Sequence, residues 1–279
     1  MMSKQKSGAQ ILRVMSYNIQ VGIATSRARH YVTGSWKHIL PSAQRLPNLD
    51  RAAKLIQQYD IVGLQELDAG SLRSNFINLA EYIAERADFP YWYHQVNRNL
   101  GRLAQHSNAF LSHFKPDRIE NLKLPGIIPG RQAIMAVFES KTDALAVFIL
   151  HLALGKRARI RQLNYIAERV RDYPHAIVMG DLNCRSDSQE MQLLFRKTSL
   201  REPSDKMSTF PSWCPQHHID HILVSADLTV KKTCALRHEV SDHLPLTMEI
   251  ELPATIQLNR YAHQGLSLEN YLGRSIISL

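Results

Sequence analysis

Apolar residues recur along this chain at two periods, and segments of the two kinds alternate. Short β-branched and apolar runs occupy 11–16 (ILRVMS), 60–66 (DIVGLQE), 107–113, 132–139 (QAIMAVFE), 144–151, 175–181 (HAIVMGD), 219–225 (IDHILVS), 229–237 and 244–251. Most are bounded by Gly, Pro, Asp or Asn, which marks them as strands. Helices fit 48–59, 74–87, 157–172 and 188–198; in the third, Ile160, Leu163, Ala167 and Val170 form one stripe at three- and four-residue spacing. So many strands overfill a simple doubly wound sheet, and 132–139 runs into 144–151 with no room for a helix between them. Two mixed sheets packed together, with helices outside, satisfy both constraints. The expected organisation is a flexible N-terminus (1–10), one α/β (α+β) domain over 11–253, and a tail or surface helix over 254–279. Segment 22–47 has no clear period and reads as a long loop.

Composition narrows the class. At 279 residues, with 44% hydrophobic and 21% charged residues and twelve each of Gly and Pro, disorder, collagen-like repeats and coiled coil are excluded. The longest apolar run, Ala144 to Leu150, is seven residues, far short of the roughly 20 of a membrane span. MMSKQKSGAQ has no apolar centre, so no secretory signal is read. Three cysteines, Cys184, Cys214 and Cys234, form no CxxC pair and suit a reducing compartment. The expectation is a cytoplasmic, monomeric protein. Its net charge of +9 favours polyanionic partners, either nucleic acid or an anionic membrane surface touched peripherally.

Six segments end or interrupt strands with carboxylates, amides or imidazoles: SYN (16–18), LQE (64–66), LHL (150–152), GDLN (180–183), IDHIL (219–223) and SDH (241–243). Any one of them reads alone as a turn or a solvated strand end. Together they supply the parts for phosphoester hydrolysis. Glu66 and Asp242, with the neutral oxygen of Asn18, make a magnesium-type ligand set. Such an ion polarises a phosphoryl group and offsets charge on the leaving oxygen. Asp181 is placed to orient and deprotonate the attacking water. Asn183, two residues on, points the same way if the backbone is extended and donates to a phosphate oxygen. His243 faces the phosphorus with Asp220 as its orienting partner, and His151 donates to a non-bridging oxygen. Strand alternation puts Asp220 and Ile222 on one face, His221 and Leu223 on the other.

In this order, SYNI, LQEL, GDLN, IDHILVS and SDHLPL resemble the endonuclease/exonuclease/phosphatase superfamily, over about residues 11 to 251. The resemblance implies a four-layer α/β/β/α sandwich with a site at one edge of the paired sheets. It implies a divalent metal, Mg²⁺ or alternatively Mn²⁺, held chiefly by Glu66 with Asn18 and Asp242 nearby. By the same resemblance Asp181, Asn183, Asp220 and His243 are catalytic, and His151 matches the phosphate-contacting histidine of deoxyribonuclease-like and sphingomyelinase-like branches. HLALGKRARIRQLNY is unlike the 5-phosphatase pattern, and no YxPN-like segment stands where abasic-site enzymes have one. The expected activity is nuclease-like phosphodiester hydrolysis; a phospholipid, sphingomyelin or phosphoinositide ester is the alternative substrate, and a catalytically silent anion-binding module the alternative of another class.

Other clusters carry two readings each. Arg157 and Arg159 in KRARIR oppose the dipole of the helix they begin, which a phosphate-bearing ligand offsets; a solvated face is the plainer account. Arg73 in DAGSLRSN, Asn108, and Arg98 and Arg102 in NRNLGR are substrate-groove candidates, against ordinary loop roles. Arg131 is read as a structural ion-pair partner. Cys214, His217, His218 and His221 lie close in sequence without a zinc-type spacing, which disfavours zinc. Trp36, Trp92 and Trp213 are read as packing under loops rather than as a base-stacking platform.

Overall fold

Alternation along each strand decides what lies between the sheets. In β1 (Ile11–Asn18), Leu12 and Val14 face the second sheet while Met15 and Tyr17 face helices. In β7 (Ala144–His151) and β8 (His175–Asp181), Leu145, Val147, Ile149, Ile177 and Met179 face inward to the same layer. These strands belong to two six-stranded sheets in a computed structural model that describes residues 9–22, 43–99, 103–126, 130–203, 207–238 and 240–261, with the side chains of 98 and 99 excepted.

The first sheet also contains β2 (Ile61–Asp68), β3 (Tyr91–Asn99), β4 (Gln105–Ser112), β11 (Thr229–Ala235) and β12 (Leu246–Glu251), in the order β11-β12-β1-β2-β4-β3. The second adds β5 (Arg118–Lys123), β6 (Gln132–Glu139), β9 (Leu200–Arg201) and β10 (Asp220–Ser225), in the order β5-β6-β7-β8-β10-β9. Both are mixed: β1 is parallel to β2 and antiparallel to β12, and β8 is parallel to β7 and antiparallel to β10.

Three apolar layers follow. The central one joins the sheets. Leu49, Ala52 and Ile56 of α1 (Arg45–Ile56) and Ile83 of α2 (Leu79–Arg86) cover the first sheet. Leu163, Ile166 and Val170 of α3 (Lys156–Val170) and Leu194 of α4 (Gln189–Lys197) cover the second. The architecture is thus the expected α/β/β/α sandwich. Gly63 permits the close approach of the sheets, because a Cβ there would lie 2.6 Å from Ile149 Cδ1. Among the described residues no helix is long and apolar enough to cross a membrane.

All nine expected strands and four expected helices form, with some revised bounds and three additional strands. The helix expected from residue 74 begins at Leu79, because Asn75 and Phe76 take left-handed backbone (φ 56° and 60°) and the Asn78 side chain caps the helix at Ala80 N. The loop expected over 22–47 gives way to α1 at Arg45; Pro47 falls in the first turn, where a missing N–H is harmless. Residues 23–42 of that loop, with Trp36, and the N-terminus through residue 8 lie outside the described residues, as do Arg102 and residues 262–279. Residues 254–261 are turn and extended chain rather than helix, joined to the body where Tyr261 N donates to His113 O. Trp92 lies in β3, not in a loop, and packs on the helix-facing core.

Candidate active site

The inward parity that buries Leu12, Ile149, Met179 and Ile222 continues to the ends of the same strands, where it delivers polar residues. Asn18 follows Leu12 and Val14 in phase, His151 follows Ile149, Asp181 follows Met179, and Asp220 precedes Ile222. Register brings them level: His151 pairs with Asp181 across β7 and β8, and Asp181 with Asp220 across β8 and β10. Gly180 makes this close packing feasible. Its φ is +149°, and a Cβ there would stand 1.9 Å from Leu150 O.

Glu66 reaches the same edge by a different device. Plain alternation would send it toward α1 with Val62 and Leu64. Instead the pairing of β2 with β4 shifts between Leu64 and Leu67, and Glu66 adopts left-handed backbone at φ 57°. This bulge turns the carboxylate toward the site, leaving its side chain 32% exposed. Its Oε1 lies 3.9 Å from His151 Nε2, which is 3.6 Å from Asp181 Oδ2; that oxygen is 3.9 Å from His243 Nε2.

Hydrogen bonds fix the set from behind. His243 Nδ1 donates to Asp220 Oδ2 at 2.8 Å, and the Thr209 hydroxyl donates to the same oxygen. Asn18 Nδ2 donates to Asp181 Oδ2 at 3.2 Å, and Gln20 Nε2 to Asp242 Oδ2 at 3.1 Å. The Ser241 hydroxyl donates to Asn18 O at 2.6 Å and so ties the SDH segment to the end of β1. Phe210 lies against the His243 ring, 4.8 Å between centroids. Gln20, Thr209 and Phe210 have no distinguishing signal in sequence, since such residues occur throughout; Ser241 is marked only as the first residue of SDH. Arg131, expected to be a structural partner, donates through Nη1 to His151 O at 3.4 Å.

Burial and charge separate the ionisation states. Burial pushes Asp181 up, Asp220's charge adds to this, and the carboxyl sits at about 7. Burial lowers His243, but the charge and hydrogen bond of Asp220, with Asp181 and Asp242, outweigh it and raise the imidazole to about 10. His151 goes the other way: burial, then Arg131 and His243, hold it well below its ordinary range. Glu66 is raised, by burial and then by Asp242. At neutral pH the site therefore presents a cationic His243 and a neutral His151 on either side of Asp181. The surroundings thus drive neighbouring titratable groups apart.

Other candidates are placed differently. Asn183 is not extended: φ is 52°, its amide donates to Leu152 O at 3.0 Å, and its N–H meets Asp181 Oδ1 at 3.0 Å. Its side chain therefore braces the loop after β8 instead of sharing Asp181's direction. Arg73 is 1% exposed and pairs with Asp68. Buried in this way, it is a structural residue and not a substrate contact. Arg159 pairs with Glu190 at 2.8 Å and covers Ala153 and Leu154 carbonyls, whereas Arg157 is exposed. Asn108 lies on the inward face of β4, fully buried, with Nδ2 3.4 Å from Gln132 O and Oδ1 without a hydrogen bond. Asp181, Asp220 and His243 hold ligand-type atoms within 4.8 Å of one another. Within that group His243 and Asp220 are joined by a direct hydrogen bond. Asn18 adjoins it through its bond to Asp181, and Glu66 through His151.

This sandwich, with carboxylates and imidazoles gathered at one sheet edge, is that of a hydrolase of phosphate esters. The chain belongs to the Endonuclease/Exonuclease/phosphatase family, whose model matches residues 15–243. Its members act on phosphate esters. Similar solved structures include an endonuclease/exonuclease/phosphatase from Beutenbergia cavernae DSM 12333, 17% identical, covering 88% of this chain and 72% of that one (TM-score 0.68). A mannosyl-6-phosphatase from Bacteroides thetaiotaomicron VPI-5482 is 19% identical, covering 86% and 100% (TM-score 0.65). ANGEL2, a 2′,3′-cyclic phosphatase, is 14% identical, covering 87% and 95% (TM-score 0.64). No curated protein matches the chain in sequence.

Proposed function

We propose that this protein is a Mg²⁺-dependent phosphodiesterase, nuclease-like, that cleaves a P–O bond by in-line attack of water. The observation that carries the reading is the Asp220–His243 hydrogen bond, with His243 Nε2 directed at Asp181 across 3.9 Å and both groups strongly shifted. Asp181, raised by burial, is poised to take a proton from water near neutral pH. Its Oδ2 is oriented by the Asn18 amide. His243, held cationic by Asp220, presents Nε2–H to a phosphate oxygen, where a fixed donor stabilises charge that grows in the transition state. His151, neutral and within reach of Glu66 and Asp181, adds a second imidazole on the other side.

Glu66, Asn18 and Asp242 fit a hard cation in their donor chemistry. Two are carboxylates and one is an amide whose Oδ1 accepts from Gln20 N at 3.2 Å and keeps a second lone pair; the bulge at Glu66 brings its carboxylate to the same edge. When bound, such an ion supplies Lewis-acid polarisation of the phosphoryl group. Mn²⁺ satisfies the same donors. The net charge of +9 supports a polyanionic substrate.

The test is a panel of plasmid DNA, single-stranded RNA, sphingomyelin, phosphatidylinositol phosphates and a chromogenic phosphodiester, each with Mg²⁺ or EDTA. The expected result is Mg²⁺-dependent turnover of a nucleic acid. Turnover of lipid alone replaces the nuclease-like reading with the phospholipid one, and binding without turnover anywhere on the panel points to a silent binding module.

A further inference from the structure

On the opposite face of β10 from Asp220, the polar cluster is built differently. His221 and His218 both point at Glu202, which follows β9. Glu202 Oε1 lies 2.6 Å from His218 Nε2 and 2.7 Å from His221 Nδ1. The remaining ring nitrogens face main-chain carbonyls: His218 Nδ1 is 2.7 Å from Met207 O, and His221 Nε2 is 2.8 Å from Cys184 O. A carbonyl only accepts, so each of these nitrogens carries its hydrogen. A neutral imidazole has then one nitrogen left, and that one carries a lone pair. Two lone pairs and a carboxylate oxygen therefore converge on one point.

Something positive must stand there. Two extra protons would satisfy the geometry. They would also set two imidazolium rings 4.5 Å apart, against a single carboxylate, with His221 fully buried. One divalent cation satisfies all three atoms at once. Imidazoles whose far N–H is fixed by a backbone carbonyl are the usual supporting arrangement of metal-ligating histidines. We propose that Glu202, His218 and His221 form a zinc-type site, separate from the phosphoester centre. Two imidazoles select a first-row transition ion over Mg²⁺, which prefers oxygen.

The three ligand atoms lie within 4.8 Å of one another. Tetrahedral zinc, with bonds of about 2.0–2.2 Å, needs ligand atoms about 3.4 Å apart. A sub-ångström retreat of the Glu202 carboxyl widens its 2.6 and 2.7 Å contacts with the two imidazoles to about that separation. Glu202 and His218 remain 12% and 11% exposed, which leaves water access to the fourth position. The sequence neighbours Cys214 and His217 take no part: Cys214 is exposed and accepts from Gln216 Nε2, and His217 lies against Phe210.

The site's position gives it a purpose. It joins the end of β9 to the start of β10 and, through Met207 O, to the segment carrying Thr209 and Phe210 onto Asp220 and His243. The ion thus acts as a staple behind the catalytic pair, and its ligands are positioning residues.

Metal content decides the matter without reference to activity. The full chain is stripped with chelator, reloaded with Zn²⁺, passed over a desalting column and analysed by mass spectrometry for zinc per chain. The expected result is one equivalent in wild type and in Glu66→Gln, and loss of that equivalent in His218→Ala and Glu202→Gln. Cobalt reloading is expected to give the visible bands of a four-coordinate site, absent from the same two variants. Wild type without retained zinc overturns the proposal, a measurement that needs no variant to fold. Retention in His218→Ala, or loss in Glu66→Gln, overturns it too, the latter because zinc would then sit at the phosphoester centre.

Discussion

Replacing Asp220 with Asn changes one atom type at a buried position and removes one charge. In the wild type Asp220 Oδ2 accepts from His243 Nδ1 at 2.8 Å and from the Thr209 hydroxyl, and the residue is 1% exposed. Asp220 is the largest influence favouring the His243 imidazolium, which stands at about 10. Against an ordinary value near 6.5, this is a preference for the cation of roughly 5 kcal/mol. Hydrogen bonds to charged groups account for about 1.5–3 kcal/mol of such effects. An amide retains the shape but offers no charge. His243 in Asp220→Asn therefore loses its proton near or below neutrality, and kcat falls by about 10²–10³, the range for a lost donor to developing transition-state charge.

The pH dependence separates this from a simple packing defect. In the wild type kcat/KM is expected to rise as Asp181 deprotonates near 7 and to stay level until His243 deprotonates near 10. In Asp220→Asn the upper limb moves down by several pH units, and the lower limb shifts too, because Asp220's charge helps to hold Asp181 up. The assay is hydrolysis of a chromogenic phosphodiester with saturating Mg²⁺ from pH 5 to 10.5, with circular dichroism to establish folding. An unmoved upper limb with kcat within about threefold of wild type would overturn this role for Asp220, because losing a fixed cationic donor costs about 10²–10³.

Other outcomes follow from the same geometry. Glu66→Gln and Asp242→Asn are expected to abolish Mg²⁺-dependent turnover, with melting temperatures close to wild type by scanning calorimetry, since Glu66 is part-exposed and packs little apolar surface. Arg73→Ala strips a buried carboxylate of its ion partner; a loss of about 3–5 kcal/mol in urea unfolding is expected, with KM unchanged in whatever fraction folds. Burial raises Asp68, but hydrogen bonds from Ser71 and the Arg73 pair outweigh it and hold the carboxyl at about 2. The native value is the lower one, so this stabilisation is complete above the unfolded value of about 3.9 and disappears as pH falls to about 2; Arg73→Ala narrows that acid dependence in urea titrations at pH 7 and 3. Arg159→Ala, which frees Glu190, lowers stability by about 2 kcal/mol without raising KM, whereas exposed Arg157→Glu raises KM for a polyanionic substrate two- to tenfold at low salt and leaves stability unchanged.

Much of this site follows from counting by twos. Asn18, His151, Asp181 and Asp220 share the parity of apolar neighbours two and four residues away, so a strand reading alone aims all four into the space between sheets. Glu66 breaks that parity and is recovered only by a bulge, which sequence does not mark. Asn183 shows the opposite failure: parity aimed it correctly for a strand, but β8 ends at Asp181 and the backbone turns left-handed. Three strands were left unpredicted: RIENLK in β5 has little apolar signal, β9 is only the two residues LR, and YWYHQVNRN in β3 turns polar after its aromatic start. Arg73 illustrates what charge alone cannot say, since a guanidinium in a post-strand loop is equally suited to substrate or to a buried carboxylate. Only the fold brings Asp68 under it.

The central claim is that Asp181, oriented by Asn18 and flanked by His151 and His243, takes the proton of the attacking water. Single-turnover hydrolysis of the diester by Asp181→Asn, at saturating substrate and Mg²⁺, tests it most directly. The account predicts a rate at least about 10² below wild type, with the dependence on pH near 7 gone and substrate affinity retained. An Asp181→Asn enzyme that cleaves within a few-fold of wild type, still titrating near 7, would contradict it.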